Sequence, residues 1–158
     1  MGAIPTQLTV RALSCDAKII GSLVGGCRVT VAHRDTGEVL ARGLHLGGAG
    51  DTESIMKQPP ARFGNMFDSA GTAAFRAELL LDEPTPVEIA VEGPLAYPQS
   101  LQRASLTTWL IPGQHLTGDG LVFKLYGFIV DILTPFDLGV AGLRSHSEVQ
   151  LEAGVFLL

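Results

Sequence analysis

Apolar and polar residues alternate with a period of two over several short stretches, the spacing of strands that bury one face. In the first stretch Leu8, Val10 and Ala12 oppose Thr9 and Arg11, which predicts a half-buried strand. Cys27, Val29 and Val31 then oppose Arg28, Thr30 and Ala32, and Asp35-Thr36-Gly37 supplies turn residues before the chain leads back, which predicts a hairpin. Between these, residues 16–26 read either as a short strand or as a packed loop. Phe75, Ala77, Leu79 and Leu81 oppose Arg76, Glu78 and Leu80; after Asp82-Glu83-Pro84, Val87, Ile89 and Val91 oppose Glu88, Ala90 and Glu92. These two runs predict an antiparallel pair. Residues 104–133 hold the densest apolar run and the single Trp, and read as two strands of a hairpin around a loop opened by Pro112-Gly113, with Trp109 in the core or, as the alternative, in an aromatic platform with Tyr97 and Tyr126 for stacking on a sugar. At Gly127 the alternation slips, which marks either a bulge or a strand buried on both faces.

The Gly-rich approach followed by CRVTVAHRDTGEVLARG resembles the start of carboxypeptidase-regulatory-like and transthyretin-like domains, where a Gly-x-x-Val-x-Val strand and a Thr-Gly-Glu type of turn recur. The resemblance covers about the first forty residues. It implies an all-β, antiparallel, prealbumin-like (Ig-like) β-sandwich. With the strand pattern, the expectation is about seven strands in a domain over residues 1–134, interrupted by a long insert at 44–72 and followed by a C-terminal extension at 135–158. Hydroxyisourate-hydrolysing relatives of transthyretin end in Tyr-Arg-Gly-Ser, whereas this chain ends in Gly-Val-Phe-Leu-Leu, so the resemblance implies fold and not activity.

The insert is the least strand-like region. Asp51 or Thr52 is placed to cap one helical turn that Pro59-Pro60 would stop. Its apolar residues, among them Phe63, Met66 and Phe67, predict packing on the chain's own sandwich or on another chain. The extension ends in four consecutive apolar residues, which predicts docking, as a last strand of the same chain or as a strand added to a neighbour. Phe136, Leu138, Val155, Phe156, Leu157 and Leu158 are therefore candidate interaction residues with Phe63, Met66 and Phe67.

Composition shifts the weight toward association. Only 17% of residues are charged, below the usual share of about 25%. A net charge of −5, with no long run of Lys and Arg, lacks the footprint of a nucleic-acid binder. No apolar run is long enough for a membrane span, and no signal-peptide pattern opens the chain, so the expected location is cytoplasmic, with export as a processed form left open. Cys15 and Cys27 lack CxxC spacing and read as small buried hydrophobes, with one disulfide as the alternative. His33 beside Asp35, and His115 near Asp119, read as turn and loop polar groups. No zinc, calcium or nucleophile motif is present, so no cofactor, metal or catalytic residue is expected. The sequence therefore favours a non-catalytic structural or interaction subunit with a protein partner or a second copy. A small-molecule or carbohydrate site formed by the insert and residues 112–120 is the alternative.

Overall fold

The computed structural model describes residues 2–15, 18–59, 61–134 and 152–157. Seven strands form two sheets. One has the order β4-β1-β7, from β1 (Ile4–Ser14), β4 (Phe75–Leu81) and β7 (Leu116–Leu125); the other has the order β3-β2-β5-β6, from β2 (Cys27–His33), β3 (Val39–His45), β5 (Thr85–Gly93) and β6 (Gln102–Leu110). The remaining described strands, β8 (Phe128–Thr134) and β9 (Glu152–Leu157), pair only with each other. The chain is thus all-β, with one helix of six residues, α1 (Thr52–Lys57), among the described residues. The core lies between the two sheets. Leu8, Val10 and Ala12 of β1 meet Val29 and Val31 of β2 and Val87, Ile89 and Val91 of β5, all 0–1% exposed. Each such side chain contributes about 1.5–3 kcal/mol by leaving water, which is why the period-two pattern places these faces inward.

Five sequence expectations are corrected. The 75–81 and 85–93 strands exist with the expected inward faces, but they do not pair: β4 pairs with β1 in one sheet, while β5 pairs with β2 and β6 in the other. The 104–133 stretch likewise forms no hairpin: its first two strands, β6 and β7, lie in different sheets, and its last residues belong to β8. At its turn the Gln114 N–H donates to the Ile111 carbonyl at 3.0 Å, and Gly113 has φ +77 after Pro112. That is the type II pattern, whose twist splays flanking strands rather than returning them side by side, so β7 crosses to the other sheet. There β7 pairs with β1 in parallel, from Leu8↔Leu116 to Ser14↔Leu125 with a register shift, so the sandwich is not wholly antiparallel. Trp109 is not a core residue: on edge strand β6 it is 54% exposed and carries the Arg34 guanidinium over its ring.

The fifth correction concerns β1, which is buried on both faces from Leu8 onward, including Thr9 and Arg11. The insert covers its outer side. The Asp51 carboxylate accepts the N–H groups of Glu53 and Ser54, capping α1 as the sequence predicts, and Gln58 ends the helix before Pro59. Ile55 of that helix joins Leu13, Ile19 and Ala73 in a second small core, with Phe67 packed on it. Residues 16–26 resolve, where described, into a loop with a 3-10 turn at Ser22–Val24, and at Gly127 the chain breaks between β7 and β8 instead of bulging. Both cysteines are free; Cys27 is buried, which pushes its thiol up to about 12, and Cys15 is half-buried.

The fully buried Arg11 holds this cover in place. Its Nη1 donates to the Ala73 carbonyl at 3.0 Å, and its Nη2 donates to Asp68 at 2.8 Å and to the Gly118 carbonyl at 3.1 Å. Arg11→Ala leaves two carbonyls without their donor and is expected to cost about 3 kcal/mol. Asp68→Asn, at a side chain 40% exposed, is expected to cost about 1 kcal/mol. Urea unfolding of both variants checks the order, and equal costs would contradict it.

Candidate functional site

Three places on the molecule carry chemistry beyond the core. The first is the seam where the insert meets the irregular first half of β7, at its register shift. Asp119 accepts the backbone N–H groups of Met66 and Phe67, each at 2.7 Å, and the Asn65 side chain accepts the Asp119 N–H at 3.3 Å. The segments 44–72 and 112–120 named by the sequence thus come together, and they do so through Asp119 rather than His115, whose Nδ1 accepts the Gln7 N–H instead. Beside the seam lies a hollow of about 410 Å³ lined by Gln7, Thr9, Asp68, Arg76, Glu78 and Thr117, among others. Arg76 stands 3.8 Å from Asp68 there. Most side chains lining the hollow are polar, Leu8 and Ala77 complete the lining, and none is aromatic.

The second is the β8–β9 ribbon. Residues directly opposite share a face, and Phe128↔Leu157, Val130↔Val155 and Ile132↔Ala153 place one apolar row outward. The five larger side chains of that row are between 46% and 61% exposed. On the other side Ile129 is buried in the main core. The third is a hollow of about 250 Å³ at the end of the ribbon, bounded by the Ser22–Val24 turn, residues 47–49, Ile129 and Leu157.

Of the candidate interaction residues, Val155 and Leu157 lie on the exposed apolar row, and Phe156 stands in β9 opposite Ile129. Phe136, Leu138 and Leu158 lie outside the described residues, as does the Phe156 side chain. In the insert, Phe67 packs inward on the second core and Met66 is half-buried, so neither projects as a free anchor. Phe63 does: it is 96% exposed, with φ +63 and Arg62 over its ring. A bulky residue at positive φ is strained backbone, held here at the tip of a folded insert. The sites are not brought together into one cluster.

The polar groups first read from the turns serve the turns. His33 Nδ1 accepts the N–H groups of Asp35 and Thr36, and Asp35, held below the usual carboxylate range by its hydrogen bond from Arg34, completes that corner. Glu88 and Glu92 pair outward with Arg103, and Glu92 also with Arg28. Among the described residues no three His, Cys, Asp or Glu side chains converge as a metal site would, and no helix is long and apolar enough to cross a membrane.

Sequence reasoning gave no binding or tying role to Arg11, His45 or Asp68, and read Asp119 only as polar loop filling beside His115. Alternation assigns Arg11 to solvent, and only the covering insert reverses that. Asp119, set between Gly118 and Gly120, carried the one local signal, a short acceptor in a bent segment. His45 is fully buried and its Nε2 accepts the Ala12 N–H at 3.2 Å, which leaves the proton on Nδ1, where it has no partner. Burial, and then the nearby Arg11 charge, push His45 down to about 4 from 6.5. The unfolded chain therefore takes up this proton first on acidification. Stability is full above about pH 6.5 and falls by up to about 3 kcal/mol as pH drops to about 4. Chemical unfolding between pH 7 and 4 is expected to show this slope in the wild type and to lose most of it in His45→Gln; parallel slopes would refute the assignment.

Compared with protein-family models, with curated proteins and with solved structures, the chain matches none.

Proposed function

We propose that this chain is a non-catalytic interaction subunit that assembles, with itself or within a larger complex, through the outward row of its β8–β9 ribbon, with the insert tip at Phe63 as a further contact. The observation that carries the reading is that row: Phe128, Val130, Ile132, Val155 and Leu157 together, each about half exposed or more. A two-stranded ribbon is marginal on its own, and a contiguous exposed apolar face marks a surface that is covered in use. Sparse surface charge favours the same outcome. The ribbon is carried on a sandwich that this reading takes as prealbumin-like, on the strength of the CRVTVAHRDTGEVLARG resemblance and of a two-sheet β core.

The polar hollow beside Asp68 and Arg76 favours a second reading, a small-molecule or carbohydrate module. A specific ligand there would raise the melting temperature by mass action. Glycan and metabolite thermal-shift screens are expected to show such a rise that is lost in Arg76→Ala; a flat screen sinks this second reading.

For the first reading, the untagged chain isolated from its own cells is expected to run at a native mass above 16.7 kDa. The Val130→Lys/Val155→Lys variant is expected to run as the monomer with an unchanged circular dichroism spectrum. A wild type isolated as the monomer, or a variant that keeps the wild-type native mass, refutes it.

A further inference from the structure

We infer that the chain forms a two-fold dimer in which Leu23 of each copy enters the hollow beside the Ser22–Val24 turn of the other; this rests on the reading of the chain as an interaction subunit and names its partner as a second copy. Leu23 is 100% exposed at the middle of that turn. The turn is clamped on all sides. Ser22 N–H donates to the Gly47 carbonyl at 2.9 Å, Gly47 N–H to Ser22 Oγ at 2.9 Å, Gly25 N–H to the Ser22 carbonyl at 3.0 Å, and Ala96 N–H to the Val24 carbonyl at 3.0 Å. Gly25 has φ +82, and a Cβ there would stand 2.4 Å from the Ala96 nitrogen, so backbone approach sets the shape of the turn. A side chain presented by so constrained a segment loses little backbone freedom on binding, and its burial goes into association.

Beside this knob lies its counterpart. The hollow of about 250 Å³ takes its apolar lining from Ile19, Ile20, Val24, Ala49, Ile129 and Leu157, with Leu23 of the same copy forming part of its wall, and has room enough for an isobutyl group. Knob and hollow share one patch, which is the arrangement a two-fold axis completes: an isologous interface lays the same surface on itself, and each contact occurs twice. Were they on opposite sides of the molecule, the same pair would build a filament. Leu157 belongs both to the hollow and to the outward row of the ribbon, so the row extends the patch. With Leu23, the row exposes on the order of 500 Å² of apolar area, the centre of an interface that a polar rim brings toward the roughly 800 Å² per partner of a stable complex. Each copy carries a charge of −5, so the copies repel at low ionic strength. Added salt screens that repulsion and tightens an apolar contact, whereas it would loosen an ion-paired one.

The test is sedimentation velocity on the recombinant full chain over a wide concentration range and at two salt concentrations. Leu23→Asp removes the knob and Ala49→Trp fills the hollow; both positions are exposed, and a circular dichroism spectrum and melt check that each variant folds. The wild type is expected to pass from monomer to dimer, more readily at high salt, and each variant to dimerise at least tenfold more weakly. An equimolar mixture of Leu23→Ala, which removes the knob without charging the hollow, and Ala49→Trp keeps one knob and one apolar hollow, and is expected to associate more tightly than either alone. Should Leu23→Asp fail to fold, Leu23→Ser reports the same contact. A wild type monomeric throughout, beside a larger native assembly, overturns the second copy as partner and leaves the interaction reading standing. Dimerisation lost in Val130→Lys/Val155→Lys but untouched in Leu23→Asp does the same. Indifference to both sets of variants overturns both.

Discussion

A guanidinium charge in the interior constrains much of this fold. Arg11 sits on the central strand of the β4-β1-β7 sheet with none of its surface in water, and a buried cation is tolerable only with a counter-charge and acceptors in place. Its acceptors come from three segments distant in sequence: Asp68 in the insert, Ala73 at the return from it, and Gly118 at the register shift within β7. The insert is therefore part of the domain and not an appendage. Once it lies over β1, the strand is covered on both faces, the environment in which a parallel pairing such as β1 with β7 is usually found. Burial lowers the Arg11 pKa while Asp68 raises it, and the same cation helps to keep the neighbouring His45 neutral.

The interior and the exterior divide the work. Around Arg11, His45 and Asp119 polar groups are spent on tying segments together, and what remains unsatisfied, Arg11 Nε and His45 Nδ1, is sealed from solvent. At the opposite extreme, the β8–β9 row and Leu23 leave apolar side chains in water although the main core is close by; Ile129, between two members of the row, is buried in it. Arg11, His45 and Asp119 are committed to holding segments together, whereas Leu23 and the β8–β9 row face outward. That contrast supports the proposed reading as an interaction subunit.

Connections between strands were the least legible part. The faces of β4 and β5 follow from alternation, because inward residues are apolar whichever sheet a strand joins. Whether the next strand pairs with its neighbour or crosses to the other sheet depends on the twist of the turn. Pro112-Gly113 could be read as a turn, yet its splaying of β6 from β7 emerged only with Gly113 at φ +77. Trp109 illustrates the same limit. Its size suggested the core, but it occupies an outward position on an edge strand, where Arg34 covers it.

By itself the sequence determined the all-β class, the inward faces of β2, β4 and β5, the capped helical turn at Asp51 or Thr52 and the apolar character of the chain's end, since each depends on neighbours a few residues apart. Only the tertiary structure decided which sheet each strand entered, that Arg11 would be buried, and that Leu23 would stand exposed beside a hollow. Those outcomes depend on contacts between residues tens of positions apart, such as Arg11 with Asp68 and Asp119 with Met66, and a period-two pattern holds no information about what will come to lie on its polar face.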